Sequence, residues 1–315
     1  MEPYTEEIER PSIWEFRLTD RGPSGSDASM ASPSDPAKLV SDLLVVEAGG
    51  ASASGSAGGW SRAAVVAAME AAPAETWRCI PGRVTFPWPQ RAGASPVGSR
   101  HVVKRFELPR GPRAWLAGDP AQREFEALKE LRVLGLPVPE PVLRARSRAL
   151  GRSVVVMAEV PHRQSLRQAI AADRDPLARA RAEALRLAEL AARLHGAGWY
   201  HRDLYLQHVV EREGDGGLVL LDLGRARQQR RPRARWFRKD LAALFLSGAP
   251  EYREVLLGAL LPEYFRLRDL PVTELPRWEQ AIRARSARAL ARTPRHVDPG
   301  TREGAAEPVD RPPPS

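Results

Sequence analysis

The stretch Trp199–Arg225, WYHRDLYLQHVVEREGDGGLVLLDLGR, constrains this chain more than any other. Two short apolar runs, around Val209 and at Leu218–Leu221, are joined by the turn residues Glu213 to Gly217, which reads as strand–turn–strand. Asp203 precedes this hairpin and Asp222 follows it, nineteen residues later. A hairpin returns the chain to near its start, so both carboxylates come to one end of it. One can orient an attacking hydroxyl. The other can hold a magnesium ion, which prefers oxygen ligands. Phosphoryl transfer rests on that positioning and charge neutralisation more than on covalent chemistry.

The surrounding pattern is sheet-rich first and helical later. His101–Leu108 (HVVKRFEL) reads as a strand after a Gly-Ser turn. Pro120–Leu134 has Phe125, Leu128 and Leu131 at helical spacing after an Asp-Pro start. Ser153–Met157 reads as a buried strand, and Pro176–Gly196 as a long helix carrying Leu187, Leu190 and Leu194 on one face. Lys239–Ser247 and Arg277–Arg292 read as further helices. Four domain segments follow. Residues 1–74 are a largely disordered extension rich in Ser, Gly, Ala and Pro, with a short apolar segment at Leu39–Val46 that reads as a strand or a docking helix. Residues 75–160 are a small lobe, residues 161–293 a larger one, and residues 294–315 a disordered tail.

The motifs of this chain resemble the protein-kinase-like fold, whose catalytic loop reads H-R-D-L and precedes a magnesium-binding D-F-G. They are more similar to the lipopolysaccharide core kinases, the Kdo/heptose kinase family. That family has H-R-D-x-Y-x-x-H followed by D-L-x-R-A; this chain has His201-Arg-Asp-Leu-Tyr205-Leu-Gln-His208, then Asp222-Leu-Gly-Arg225-Ala226. The resemblance implies an α+β, protein-kinase-like two-lobed fold: a small N-terminal β-sheet lobe with one helix, and a larger helical C-terminal lobe. It implies an ATP- and Mg2+-dependent kinase acting on a Kdo or heptose hydroxyl of the lipopolysaccharide inner core. Asp203 would be the catalytic base, within the loop of His201 and Arg202. Asp222 would be the main magnesium ligand. Asp240, in KDLAAL, would buttress the loop from a helix.

His208 stands where protein kinases place asparagine, and the chain contains no asparagine at all. Imidazole is a poorer magnesium ligand than a carboxamide oxygen. Whether His208 binds metal, reaches a phosphate or packs stays open. The fold also needs a strand lysine paired with a glutamate on the next helix. Lys104 supplies the first. In a chain with four lysines among 48 cations, a lysine inside an apolar strand stands out. Glu124 is its expected partner, with Glu126 as the fallback. Ala158, Glu159 and Val160 match the segment linking the lobes, whose backbone would hydrogen-bond adenine. Gly82, Gly93 and Gly98 show no standard phosphate-loop spacing, so a phosphate-covering hairpin within residues 80–100 is expected but not placed.

Composition narrows the partners. The net charge is +9 and the pI about 10.3, which implies an anionic partner. Residues 225–239 contain eight cations and no acid. They read as a docking loop for an anionic acceptor such as phosphorylated sugar or lipid phosphate, or as a solvated loop. Nucleic acid is disfavoured because aromatic side chains do not interleave the run. Arg277–Arg292, with Trp278, Ile282 and Leu290 on one side, either lies on an anionic membrane or closes the helical lobe. One cysteine, Cys79, excludes an internal disulfide framework and reads as a small buried hydrophobe. His162 and His195 read as structural. The acidic start MEPYTEEIER is not a secretory signal pattern, and the expected location is the cytoplasm or the cytoplasmic face of the inner membrane. Two alternatives stay open: a kinase for another small-molecule or protein hydroxyl, and a pseudokinase that binds membranes through its arginines.

Overall fold

A computed structural model describes residues 43–47, 60–70, 72–73, 76–88, 100–108, 118–231 and 233–292. Gly93, Gly98, Leu39 and the tail from residue 294 lie outside the described residues.

The first lobe is a sheet of six antiparallel strands in the order β1-β5-β6-β4-β3-β2. They are β1 (Leu44–Glu47), β2 (Arg78–Ile80), β3 (Arg83–Trp88), β4 (His101–Glu107), β5 (Pro141–Ser147) and β6 (Arg152–Ala158). Alternation along β4 sorts its residues between two cores. Val103 joins Phe86, Leu143, Val154 and Val156 on one face. Val102 and Phe106 join Val155 and Met157 on the other. Lys104 shares this second face, directly opposite Thr85 on β3 and Val155 on β6. It is therefore a charged group set in an apolar face, and it needs partners there.

Helix α1 (Arg62–Glu70) covers the first face with Val65, Ala68 and Met69, beside Trp60. At its C-terminal end, Arg105 and Arg152 donate to the Met69 carbonyl at 3.2 and 2.8 Å, where cations suit the helix dipole. The Arg62 guanidinium reaches the Leu43 carbonyl at 2.6 Å and ties α1 to β1. Residues 1–74, read from the sequence as largely disordered, thus supply an edge strand and a second helix of this lobe. The apolar segment read at Leu39–Val46 overlaps the strand, while low-complexity flanks hid the helix, whose nine residues leave little periodic signal.

Helix α2 (Pro120–Val133) covers the second face with Phe125, Leu128 and Leu131. Asp119 caps it, accepting from the Ala121 amide at 2.9 Å, and Pro120 takes the first helical position.

The second lobe is mostly helical. Its core helix α4 (Pro176–Gly196), preceded by the short α3 (Leu166–Ala171), packs Leu187, Leu190 and Leu194 against Leu256, Leu260 and Tyr264 of α6 (Pro250–Leu267). Short strands β7 (Trp199–Tyr200), β8 (Val209–Glu211), β9 (Leu218–Leu220) and β10 (Arg227–Gln228) carry the loops between them. β8 pairs with β9, and β10 with β7. Helices α5 (Ala234–Ser247) and α7 (Leu275–Arg292) complete the element order. Trp278 and Ile282 of α7 are buried in the core of this lobe, so those apolar residues are not free for a membrane. Among the described residues no helix is long and apolar enough to cross a membrane. Cys79 is exposed on β2, not buried: its strand is the edge of the sheet and pairs on one side only.

Met69 has no solvent exposure and fills the space between α1 and the sheet. Met69→Ala is expected to lower unfolding free energy by about 2–5 kcal/mol, as a cavity in a packed core does. Urea denaturation checks this, and an unchanged midpoint would show that α1 adds nothing to the sheet.

Candidate active site

Asp240, on the second turn of α5, is fully buried and organises the loop that follows β7. Its Oδ2 accepts the His201 amide at 2.6 Å and its Oδ1 the Arg202 amide at 2.8 Å. His195 of α4 faces the same carboxylate through Nε2 at 3.4 Å and the Tyr264 hydroxyl through Nδ1 at 2.8 Å. A carboxylate only accepts, so Nε2 carries the proton and Nδ1 takes the tyrosine's. Burial holds His195 below its ordinary pKa despite Asp240, so the ring is neutral. Burial also pushes the Tyr264 hydroxyl up, which keeps it a donor.

With its amide fixed, Arg202 adopts φ +74°, a left-handed turn that costs a non-glycine residue about 1–2 kcal/mol. That turn separates His201, which is buried, from Asp203, which reaches Arg225. His201 does not face the site: its Nε2–H donates to the Leu221 carbonyl at 2.9 Å. It ties this loop to the residue before Asp222 and is a positioning residue. Asp203 Oδ1 accepts from Arg225 Nη1 at 3.0 Å.

Asp222 also has a left-handed backbone, φ +57°. Its Oδ1 meets Arg83 Nη1 at 3.1 Å and Lys104 Nζ at 3.2 Å; its Oδ2 meets Arg78 Nη1 at 3.5 Å and His208 Nε2 at 3.7 Å. Lys104 Nζ in turn pairs with Glu124 Oε1, and Glu124 is almost wholly buried. Glu126 instead takes the Gln122 amide at the exposed side of α2. Burial opposes the Asp222 charge, but Lys104 and Arg83 outweigh it and hold the carboxyl well below the usual range. Burial likewise opposes the Lys104 charge, and Asp222 and Glu124 outweigh it, leaving the ammonium above its usual range. Gly224 packs closely beside this pair. A Cβ there would stand 3.2 Å from Glu124 Oε2.

His208 Nδ1 lies 2.8 Å from the Asp203 carbonyl oxygen, so that nitrogen carries the proton. Burial lowers the ring's pKa below its ordinary value, and the neutral ring presents the Nε2 lone pair to Asp222 Oδ2. Two acceptors so placed could share a cation. Among the described residues no three His, Cys, Asp or Glu side chains group to hold a metal alone. Asp222 and His208 would be the residues to hold magnesium, which is bound through one or two carboxylates with phosphate and water oxygens completing the shell.

In the segment linking the lobes, the Ala158 amide donates to the Glu140 carbonyl at 2.8 Å and the Glu159 amide to the Arg100 carbonyl at 2.9 Å. His162 Nδ1–H donates to the Val160 carbonyl at 2.6 Å. What remains for a planar ligand is the Val160 amide with the Ala158 and Glu159 carbonyls.

Three cations at this site were not singled out by the sequence. Arg78 and Arg83 sit on the β2–β3 hairpin, and Arg225 follows Asp222. Arginine is too common here for any one to stand out, although Arg225 lies inside the D-L-x-R-A motif. The basic run 225–239 is only partly a loop, because α5 begins at Ala234. Arg235 stacks on Trp236 and Arg238 on Trp278, at 4.8 and 5.6 Å from the ring centres. These two are held against the fold by cation–π contact rather than extended as a docking loop.

Residues 113–257 match the model of the Lipopolysaccharide kinase (Kdo/WaaP) family. The matched segment contains Glu124, both acidic loops and Asp240; Lys104, Arg78 and Arg83 precede it. The chain is also similar to the PknI kinase domain of Mycobacterium tuberculosis, solved as a double mutant, at 17% identity and a TM-score of 0.38, over 67% of this chain and 93% of that one. None of the curated proteins matches this chain.

His195 and His208 both have depressed pKa values, so the unfolded chain binds protons that the folded one refuses. Their contribution to stability is complete above the ordinary histidine value of 6.5 and is lost as pH falls through it. The urea midpoint is expected to drop between about pH 7.5 and about pH 5.5, and His195→Gln to flatten that slope. An identical slope in the variant would remove His195 from the account.

Proposed function

We infer that this ATP-dependent phosphotransferase of the lipopolysaccharide-kinase type phosphorylates a Kdo or heptose hydroxyl of the lipopolysaccharide inner core. The observation that carries the reading is the joint placement of Asp203 and Asp222 at one end of the β8–β9 hairpin, with Lys104 and Glu124 at Asp222, inside a chain matched to that family.

Each residue then has a part. Asp203 accepts the acceptor's hydroxyl proton as that oxygen bonds to the γ-phosphorus and the bond to the leaving phosphate breaks. Arg225, on Oδ1, holds the Asp203 carboxylate turned, leaving Oδ2 for the hydroxyl. Lys104, held by Glu124, neutralises the α- and β-phosphates. Asp222, with His208, would hold magnesium, which when bound would neutralise charge developing on the phosphate oxygens. Asp240 and His201 fix the backbone that carries Asp203 and Asp222. The Val160 amide and the Ala158 and Glu159 carbonyls face the adenine.

The acceptor side is cationic. Lys239 lies in the field of Asp203, Arg202 and Arg225, and burial lowers its pKa. Such a surround favours a sugar that carries its own negative charge. An inner-core acceptor of this kind places the enzyme in the cytoplasm, at the cytoplasmic face of the inner membrane.

Transfer of labelled phosphate from Mg-ATP to purified lipopolysaccharide cores tests the reading. Wild-type labelling is expected, with Asp203→Ala reducing it about 10²–10⁴-fold, the usual worth of a general base. Labelling of free sugars or protein, but not of cores, would move the acceptor. Full activity in Asp203→Ala would end the mechanism.

A further inference from the structure

We propose that Arg78 and Arg83 form a guanidinium clamp for the phosphates of the nucleotide, doing with side chains what glycine-rich loops do with backbone amides. The inference rests on the nucleotide reading above and goes beyond it by assigning the grip.

The β2–β3 hairpin is the edge of the sheet, next to the strand that bears Lys104. Its strands are joined by two residues only, Pro81 and Gly82, with Ile80 paired to Arg83. Proline has no N–H. The Gly82 carbonyl accepts the Glu107 amide at 2.9 Å, which draws the turn onto the end of β4. Such a tip cannot offer the row of free amides that cradles a phosphate chain. Donors on this hairpin must come from side chains.

Register supplies them. Arg78 is opposite Thr85, and Thr85 opposite Lys104, so the three lie in one row on one face. Arg83, two residues before Thr85, shares that face one step nearer the turn. The two guanidiniums meet Asp222 at 3.5 and 3.1 Å, one on each carboxylate oxygen.

The charges do not balance among themselves. Lys104, Arg78 and Arg83 bring three positive charges to Asp222 and Glu124, which bring two negative ones. If Asp222 turns its oxygens to a metal, only Glu124 remains, and it is committed to Lys104. Two guanidiniums are then left facing the same place. They are partly open to solvent, with side-chain exposures of 37% and 17%. Phosphate oxygens match a planar guanidinium in geometry and charge. The same atoms that hold Asp222 without a ligand would thus close on the phosphates beside it.

The test is equilibrium binding of adenosine, ADP and ATP to the full chain with magnesium, followed by calorimetry. In the wild type, affinity is expected to rise from adenosine to ATP. The double variant Arg78→Gln, Arg83→Gln should lose about 10–100-fold for ATP and leave adenosine unchanged, as loss of charge-assisted hydrogen bonds implies. The single variant Arg78→Gln, at the more exposed position, should lose part of this with an unaltered fold. Arg83→Lys, with Arg78 intact, should lose a smaller part of the ATP affinity than the double variant, since a point charge replaces a fork but keeps the charge. ATP binding equal to wild type in the double variant, or equal losses for adenosine and ATP, would overturn the clamp. A wild type that binds neither nucleotide would instead overturn the kinase reading itself.

Discussion

A lysine ammonium set between two carboxylates in an apolar face of a sheet is the interaction on which the rest of this site depends. Burying charge is costly by several kcal/mol per ion unless each finds close partners. Lys104 resolves that cost with Glu124 from α2 and Asp222 from the loop after β9. Sheet, helix and loop are therefore linked through one nitrogen. If Asp222 moved away, Lys104 and Glu124 would still balance, but Arg83 and Arg78 would not.

A second buried charge sets the other half. Asp240 has two amides and a neutral histidine as its partners, and no cation at its oxygens among the described residues. Its role is backbone geometry: it stabilises the left-handed turn at Arg202, which aims Asp203 away from the core. His201 then fastens this loop to Leu221. Asp203 and Asp222 are thus positioned by hydrogen bonds to main chain, which tolerate little variation in the fold.

The outer face of the first lobe shows how a strand with two buried faces is completed. β4 and β6 bury residues on both sides, so a covering helix is required on each. Helix α2 serves the site-facing side and α1 the other. The arginines of β4 and β6 close α1 through the Met69 carbonyl. Rigidity of the strand bearing Lys104 comes in part from residues that precede the family-matched segment.

Several features were legible in the sequence because they are local. The HRDLYLQH and DLGRA spacing identified the paired carboxylates, the Asp-Pro dipeptide marked the start of α2, and a lone lysine in an apolar strand marked Lys104. Alternation along one strand and periodicity along one helix carry such signals. Convergence across distant positions does not appear in them. Arg83 and Asp222 are 139 residues apart, and nothing local separates Arg83 from the other arginines. The edge strand left a trace in the apolar segment at Leu39–Val46, but the helix Arg62–Glu70 is short and flanked by Ser, Gly and Ala, so only its packing against a sheet face reveals it. Cys79 read as buried because the residue type favours interiors, while its position on an edge strand exposes it. The sequence by itself determined which chemistry the chain carries, because that chemistry needs particular side chains at short, fixed separations. Only the tertiary structure decided which arginines serve it, because that depends on strand register and on where burial leaves a charge without a partner.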